Sequence, residues 1–229
     1  MQADSLAHVN NTPIRYIAGV SWPRSGHHLL VRLMKGYFGA QFSYCEFYTE
    51  HLDCCREFPC TRSQSVSFSK NHDFNLDIST QESVPYIVQY REFFNSVVSE
   101  FELHIRVHGP ESDNKEEFTK HSIAKARQYK VFLRKWVEKE QGKNVLLVPY
   151  ESLISDTEDM AIACIQHFSP GSEIDLAHLR SVIRHVDGER VENHKIVKLH
   201  GVGVHKSRDY RQFRYYDDHW YRTIATILN

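Results

Sequence analysis

Three stretches of this sequence carry side chains suited to binding an oxyanion and moving a proton beside it. In the first, the apolar run Ile17-Ala18-Gly19-Val20 breaks at Ser21-Trp22-Pro23-Arg24-Ser25-Gly26 and resumes as Leu29, Leu30, Leu33, Met34 and Phe38. That later spacing is one face of a helix, so the segment reads as strand, tight loop, helix. Backbone N–H groups of such a loop converge on one point, and the helix N-terminus adds partial positive charge. Arg24 stands where a guanidinium can close over a phosphate or sulfate. A Walker loop needs Gly-Lys-Ser/Thr, and Gly26 is followed by His27, so the loop is not built for Mg-ATP in that manner. The second stretch, Lys70-Asn71-His72-Asp73, pairs a cation with an imidazole whose ordinary pKa of about 6.5 suits proton removal near neutrality. Asp73 is placed to orient that imidazole, to touch an acceptor or to cap the next turn. In the third, the apolar run from Val84 to Tyr90 ends at Arg91.

Alternating strand and helix signals position these residues and predict an α/β fold, a single domain over 1–229 with a central, mostly parallel sheet flanked by helices. Residues 1–13 are expected as a loose N-terminal segment. Strands are expected over 14–20, 65–69, 84–90 and 144–148. Helices are expected over 25–38, 93–107, 118–141, 157–168, 175–186 and 217–228. Loops fill 41–64, 108–117 and 188–204. On this plan Arg24, Lys70, His72, Arg91 and Tyr150 all stand at carboxyl ends of strands, the edge where an open parallel sheet binds ligands.

Formal charge is −1 over 229 residues, so no global basic field draws nucleic acid, and any anion site is a local cluster. No run of about 18 apolar residues exists to span a bilayer. Met1-Gln2-Ala3-Asp4-Ser5 has neither the basic nor the apolar region of a signal peptide, and a cytoplasmic location is expected. Of five cysteines, Cys45, Cys54, Cys55 and Cys60 crowd together with His51 among them, and Cys164 stands apart. Reduced thiols, one or two disulfides, and a structural zinc are the three readings of that cluster.

In their order along the chain, these motifs resemble the sulfotransferases that use 3′-phosphoadenosine 5′-phosphosulfate (PAPS). Pro23, Arg24, Ser25 and Gly26 are similar to that family's P-loop-like 5′-phosphosulfate loop, Pro-Lys/Arg-Ser-Gly-Thr. Arg91 with Ser99, eight residues on, resembles its 3′-phosphate signature. Lys70-Asn71-His72 resembles its Lys-x-His segment, and Val145 to Leu153 its strand ending in Tyr-Glu-Asp-Leu. His205 to Arg211 is similar to its C-terminal phosphate loop. The sequence departs from the pattern where His27 and His28 replace hydroxyl residues and where Leu29 replaces a tryptophan that faces the adenine in many members.

The resemblance implies sulfuryl transfer from PAPS to a hydroxyl acceptor by in-line displacement, with PAP as product and no metal required. Arg24, Lys70 and His72 are the implied catalytic residues: Arg24 on the bridging and 5′-phosphate oxygens, Lys70 on the sulfuryl group, His72 as general base. The implied nucleotide contacts are Pro23, Arg24, Ser25, Gly26, His27, His28, Arg91, Ser99, Tyr150, Lys206 and Arg208, with His27 and His28 as imidazolium donors. Two alternatives stand beside this reading, a non-catalytic nucleotide- or sulfate-binding module and a metabolite kinase. The acceptor is open among small molecules, carbohydrate, lipid and tyrosine.

Overall fold

A computed structural model describes residues 13–47, 54–139, 144–196 and 209–229 of the chain. Its strands are β1 (Ile17–Ser21), β2 (Tyr44–Glu46), β3 (Phe68–Asn71), β4 (Tyr86–Tyr90) and β5 (Val145–Pro149). The α-helices are α1 (His27–Phe38), α2 (Phe93–His108), α3 (Lys115–Leu133), α4 (Tyr150–Ser155), α5 (Thr157–Phe168), α6 (Leu176–Ile196) and α7 (Asp218–Leu228). A π-helical stretch, Arg134–Glu138, prolongs α3. The helix starts follow ordinary capping chemistry. Glu92 accepts from the N–H groups of Phe94 and Asn95, Asn114 from that of Glu117, and Asp217 from that of Trp220.

All five strands run parallel, in the order β2-β3-β1-β4-β5. Both sheet faces are covered, as a parallel sheet requires, and alternate strand residues divide between two apolar clusters. Ile17, Phe68, Ile87 and Val148 pack with Leu30, Leu33 and Met34 of α1 and with Phe168 and Leu179. Ala18, Val20, Tyr86 and Val88 pack on the opposite face with Phe101, Phe118, Phe132, Trp136 and Trp220.

The chain leaves β1 toward β2 and β3 on one side and returns to β4 and β5 on the other. The carboxyl end of β1 is therefore a topological switch point, where a crevice opens between diverging connections. The register sets three strand ends side by side there, pairing Val20 with Asn71 and Ser21 with Gln89.

Residues 1–12, most of the expected loose N-terminal segment, lie outside the described residues. Among the described residues no helix is long and apolar enough to cross a membrane. Several elements depart from the sequence reading. β2 and α4 form where a loop and a simple strand cap are expected, β3 starts at Phe68 and carries Lys70 and Asn71 within it instead of spanning 65–69, and α6 runs on to Ile196 through the start of the expected 188–204 loop.

Candidate active site at the end of the central strand

The β1–α1 loop is held from below and from both sides. Trp22 is buried, its ring edge-on to Tyr129 and Phe132 at centroid distances of 4.9 and 5.5 Å, and its Nε1 donates to Ser96 Oγ at 3.2 Å. Arg24 and Gly26 both adopt left-handed backbone, with φ of 65° and 78°. Such turns direct successive N–H groups into one concavity suited to anions. At Gly26 the close approach adds to the conformational demand, because a Cβ would lie 2.6 Å from Tyr150 Cδ2. No side chain caps α1 and no acidic residue lies in its first turn, so its N-terminal donors face the crevice unneutralised. Ser25 Oγ is buried with no hydrogen-bond partner among the described residues. An orphaned hydroxyl at the mouth of a helix N-terminus fits a phosphate or sulfate oxygen.

On the β4 side, Arg24 Nε donates to Ser99 Oγ at 3.0 Å, and Arg91 Nη1 donates to the Arg24 carbonyl at 3.3 Å. The Arg91 guanidinium lies over the Tyr150 ring, 4.2 Å from its centroid. Tyr129 donates to the Arg91 carbonyl at 2.6 Å and fixes the backbone there. Residues from the loop, the end of β4, α2 and the start of α4 thus meet at one place. Arg91, Ser99 and Tyr150 are all at least nine-tenths buried.

On the β3 side, Lys70 is buried and reaches Glu46 Oε1 at 3.6 Å. Burial pulls its ammonium pKa below the ordinary value, opposed by the Glu46 charge. His72 follows one residue past β3. Its Nδ1 lies 2.6 Å from the Ser21 carbonyl oxygen and 3.2 Å from Ser21 Oγ. A carbonyl can only accept, so Nδ1 carries the proton and the neutral ring keeps its basic lone pair on Nε2. Burial, and then the Lys70 cation, push the His72 pKa down to about 3. The charge of Lys70 is also felt at His27 and His28, and that of Arg24 at Lys70 and His28, so loop and strand end share one electrostatic field.

The structure corrects two readings of side chains. Gln89 Nε2 donates to the Ser25 carbonyl at 3.4 Å, which turns Gln89 Oε1 toward His27 Nδ1 at 3.3 Å. His27 Nδ1 therefore donates, and Nε2 accepts from the Tyr44 hydroxyl at 2.5 Å. With both nitrogens occupied and burial holding its pKa well below 6.5, His27 braces the loop and presents no imidazolium. His28 is exposed, and desolvation lowers its pKa as well. Of the three roles expected for Asp73, the structure shows the cap of the next turn and not the orienting of His72. With φ of 48° Asp73 turns away, and its carboxylate accepts from Lys135 Nζ at 2.6 Å, Trp136 Nε1 at 2.8 Å and the Ile78 N–H at 3.0 Å.

Pro23, Arg24, Ser25, Gly26, Lys70, His72, Arg91, Ser99 and Tyr150 thus gather around the carboxyl end of β1, whereas Lys206 and Arg208 lie outside the described residues. Sequence reasoning missed Ser21, Glu46 and Gln89, which position His72, Lys70 and the loop. Gln89 left a signal, as a polar residue inside the buried run Ile87-Val88-Gln89-Tyr90. Glu46 left none, because the three-residue β2 is too short to show a period.

No protein-family model matches the sequence, and neither does any curated protein sequence. Among solved structures, the chain is similar in fold to mouse sulfotransferase SULT7A1 complexed with PAP, with a TM-score of 0.67 and 16% identity over 93% of this chain and 83% of that one. The two chains share the same α/β fold.

Proposed function

We propose that the protein transfers a sulfuryl group from PAPS to a hydroxyl acceptor at the carboxyl end of β1. The observation that carries this reading is the meeting of two groups of residues across one loop. Arg24, Ser99 and Arg91 join on one side, and Lys70 and a tautomerically fixed His72 stand on the other. The fold shared with a PAP-complexed sulfotransferase supports it.

The residues present fit such a donor. The loop N–H groups, the α1 N-terminus and Ser25 Oγ would hold the 5′-phosphosulfate, and Arg91 with Ser99 the 3′-phosphate. When bound, PAPS supplies an activated sulfuryl group, and PAP departs as the S–O bond to phosphate breaks. Arg24 and Lys70 neutralise charge that builds on the departing and transferring oxygens, the principal demand of such a displacement. Ser21 holds the ring of His72 so that Nε2 takes the acceptor's proton as the new S–O bond forms. The same anions that bind the loop offset the Lys70 cation, and so raise the basicity of His72 when the donor is in place.

A thermal-shift series with PAP, Mg-ATP and inorganic sulfate tests the nucleotide class. Stabilisation by PAP alone at micromolar concentration is expected. Preferential stabilisation by Mg-ATP overturns the reading in favour of a kinase.

A further inference from the structure

Four thiols, Cys45 of β2 and Cys54, Cys55 and Cys60 of the connection to β3, gather outside the site described above. The Sγ atoms of Cys55 and Cys60 are 3.5 Å apart, and those of Cys45 and Cys54 are 3.8 Å apart, all unbridged. Among the described residues no three His, Cys, Asp or Glu side chains group so as to hold a metal ion.

The Cys55–Cys60 pair is asymmetric. Cys60 is buried, and its backbone N–H donates to Tyr16 Oη at 2.7 Å, which in turn contacts Ser69 Oγ on β3 at 2.6 Å. Cys60 is thereby anchored to the sheet. Cys55 is half-exposed and precedes the exposed Arg56 and Glu57. One accessible thiol touching one anchored thiol is the arrangement that exchange chemistry uses, the first to attack and the second to resolve.

We propose that Cys55 and Cys60 form a thiol-exchange site for low-molecular-weight disulfides of the glutathione class, with Cys55 attacking and Cys60 resolving. The Cys55 thiolate attacks one sulfur of the incoming disulfide. The S–S bond breaks, and one thiolate leaves to take a proton from solvent. Cys60 then loses its proton to solvent and attacks the Cys55 sulfur, forming the Cys55–Cys60 bond and expelling the second small thiol. Two electrons pass from the protein dithiol to the reagent, which is recovered as two thiols.

The thiol acidities agree with this division. Burial pushes Cys55 up, but its hydrogen bonds with Thr61, Glu57 and Cys60 outweigh it and bring the thiol down to about 7. Burial raises Cys60 and Cys45 above their ordinary value. The buried Cys164 stands apart from the cluster, and burial raises it too.

Peptide mapping of the full chain by mass spectrometry, after incubation of the reduced protein with oxidised glutathione, tests the assignment. In the wild type a Cys55–Cys60 disulfide is expected as the first product. In Cys60→Ser a single glutathione adduct is expected to accumulate on Cys55, and in Cys55→Ser none on Cys60. Brief alkylation of the untreated wild type needs no variant, and Cys55 should react roughly ten-fold or more faster than Cys45, Cys60 and Cys164. A first disulfide that uses Cys54, an adduct spread evenly over the cluster, or stoichiometric zinc with all four thiols protected would overturn the assignment.

Discussion

A histidine enclosed beside a lysine is held neutral, and His72 is in that position. Its pKa of about 3 comes first from burial and next from the Lys70 cation, so Lys70→Gln should move the midpoint upward toward 6.5. Proton NMR titration of the His72 ring in the two proteins reads this directly, and an unmoved midpoint would remove Lys70 from its surroundings. The proposed nucleotide contacts make a second prediction. Arg91→Ala deletes a charged donor and should cost about 1.5–3 kcal/mol of PAP affinity, against about 1 kcal/mol for Ser99→Ala. Calorimetry on variants of unchanged circular dichroism measures both, and unchanged affinity in Arg91→Ala would place the 3′-phosphate elsewhere. The neutral, doubly engaged His27 leads to a different expectation from its sequence context. A histidine after a loop glycine suggests a phosphate donor, but its partners Tyr44 and Gln89 come from strands distant in sequence. Only the folded register brings them to it.

Among the elements, the β1–α1 loop depends on backbone that most side chains resist. Gly26→Ala asks an L-residue to hold φ of 78° and drives a methyl to within 2.6 Å of Tyr150. Loss of about 1–3 kcal/mol is expected from the backbone alone, read as a lower urea midpoint with weakened PAP binding. Asp73 ties the end of β3 to α3 and its π-helical extension through Lys135 and Trp136. Asp73→Ala removes the carboxylate that accepts from Lys135 Nζ, which keeps the Leu76 carbonyl, and from the buried Trp136 indole N–H, and should destabilise by about 1–3 kcal/mol; a urea midpoint near that of wild type would contradict the tie. Much of this layer was legible. β1, β4 and β5 are mainly apolar runs, with Gln89 the polar exception in β4, and α5 is bounded by Thr157 and by Ser169-Pro170-Gly171, so its limits match the structure. β2 was not legible, since it is a three-residue, half-buried edge whose pairing with β3 alone defines it. Nor was the direction of Asp73, which is set by a positive φ and by partners about sixty residues ahead.

Among the described residues, several histidines are wholly or partly buried in neutral form. Burial lowers the pKa of His27 well below 6.5, of His72 to about 3, and of His121 and His167 to about 4. The unfolded chain binds these protons with a pKa near 6.5, so below that value it takes up protons the fold refuses. Stability contributed by keeping these rings neutral is complete above about pH 6.5 and is lost progressively between pH 6.5 and about 3. The melting temperature should therefore fall steadily on acidification from pH 7 to pH 5, and a flat profile would show these rings to be solvated. The site sits at the switch point of a parallel sheet, so its two halves come from opposite sides of the fold and meet only when the fold is intact. In the proposed reaction His72 is the base for sulfuryl transfer. The most direct measurement is incorporation of labelled sulfate from PAPS into a mixed panel of hydroxyl acceptors, run in parallel with wild type and His72→Ala. Transfer by the wild type is predicted, with kcat about 10²–10⁴-fold lower in the variant and PAP affinity little changed. Tight PAP binding with no transfer by the wild type to any acceptor, or full turnover by His72→Ala, would contradict it.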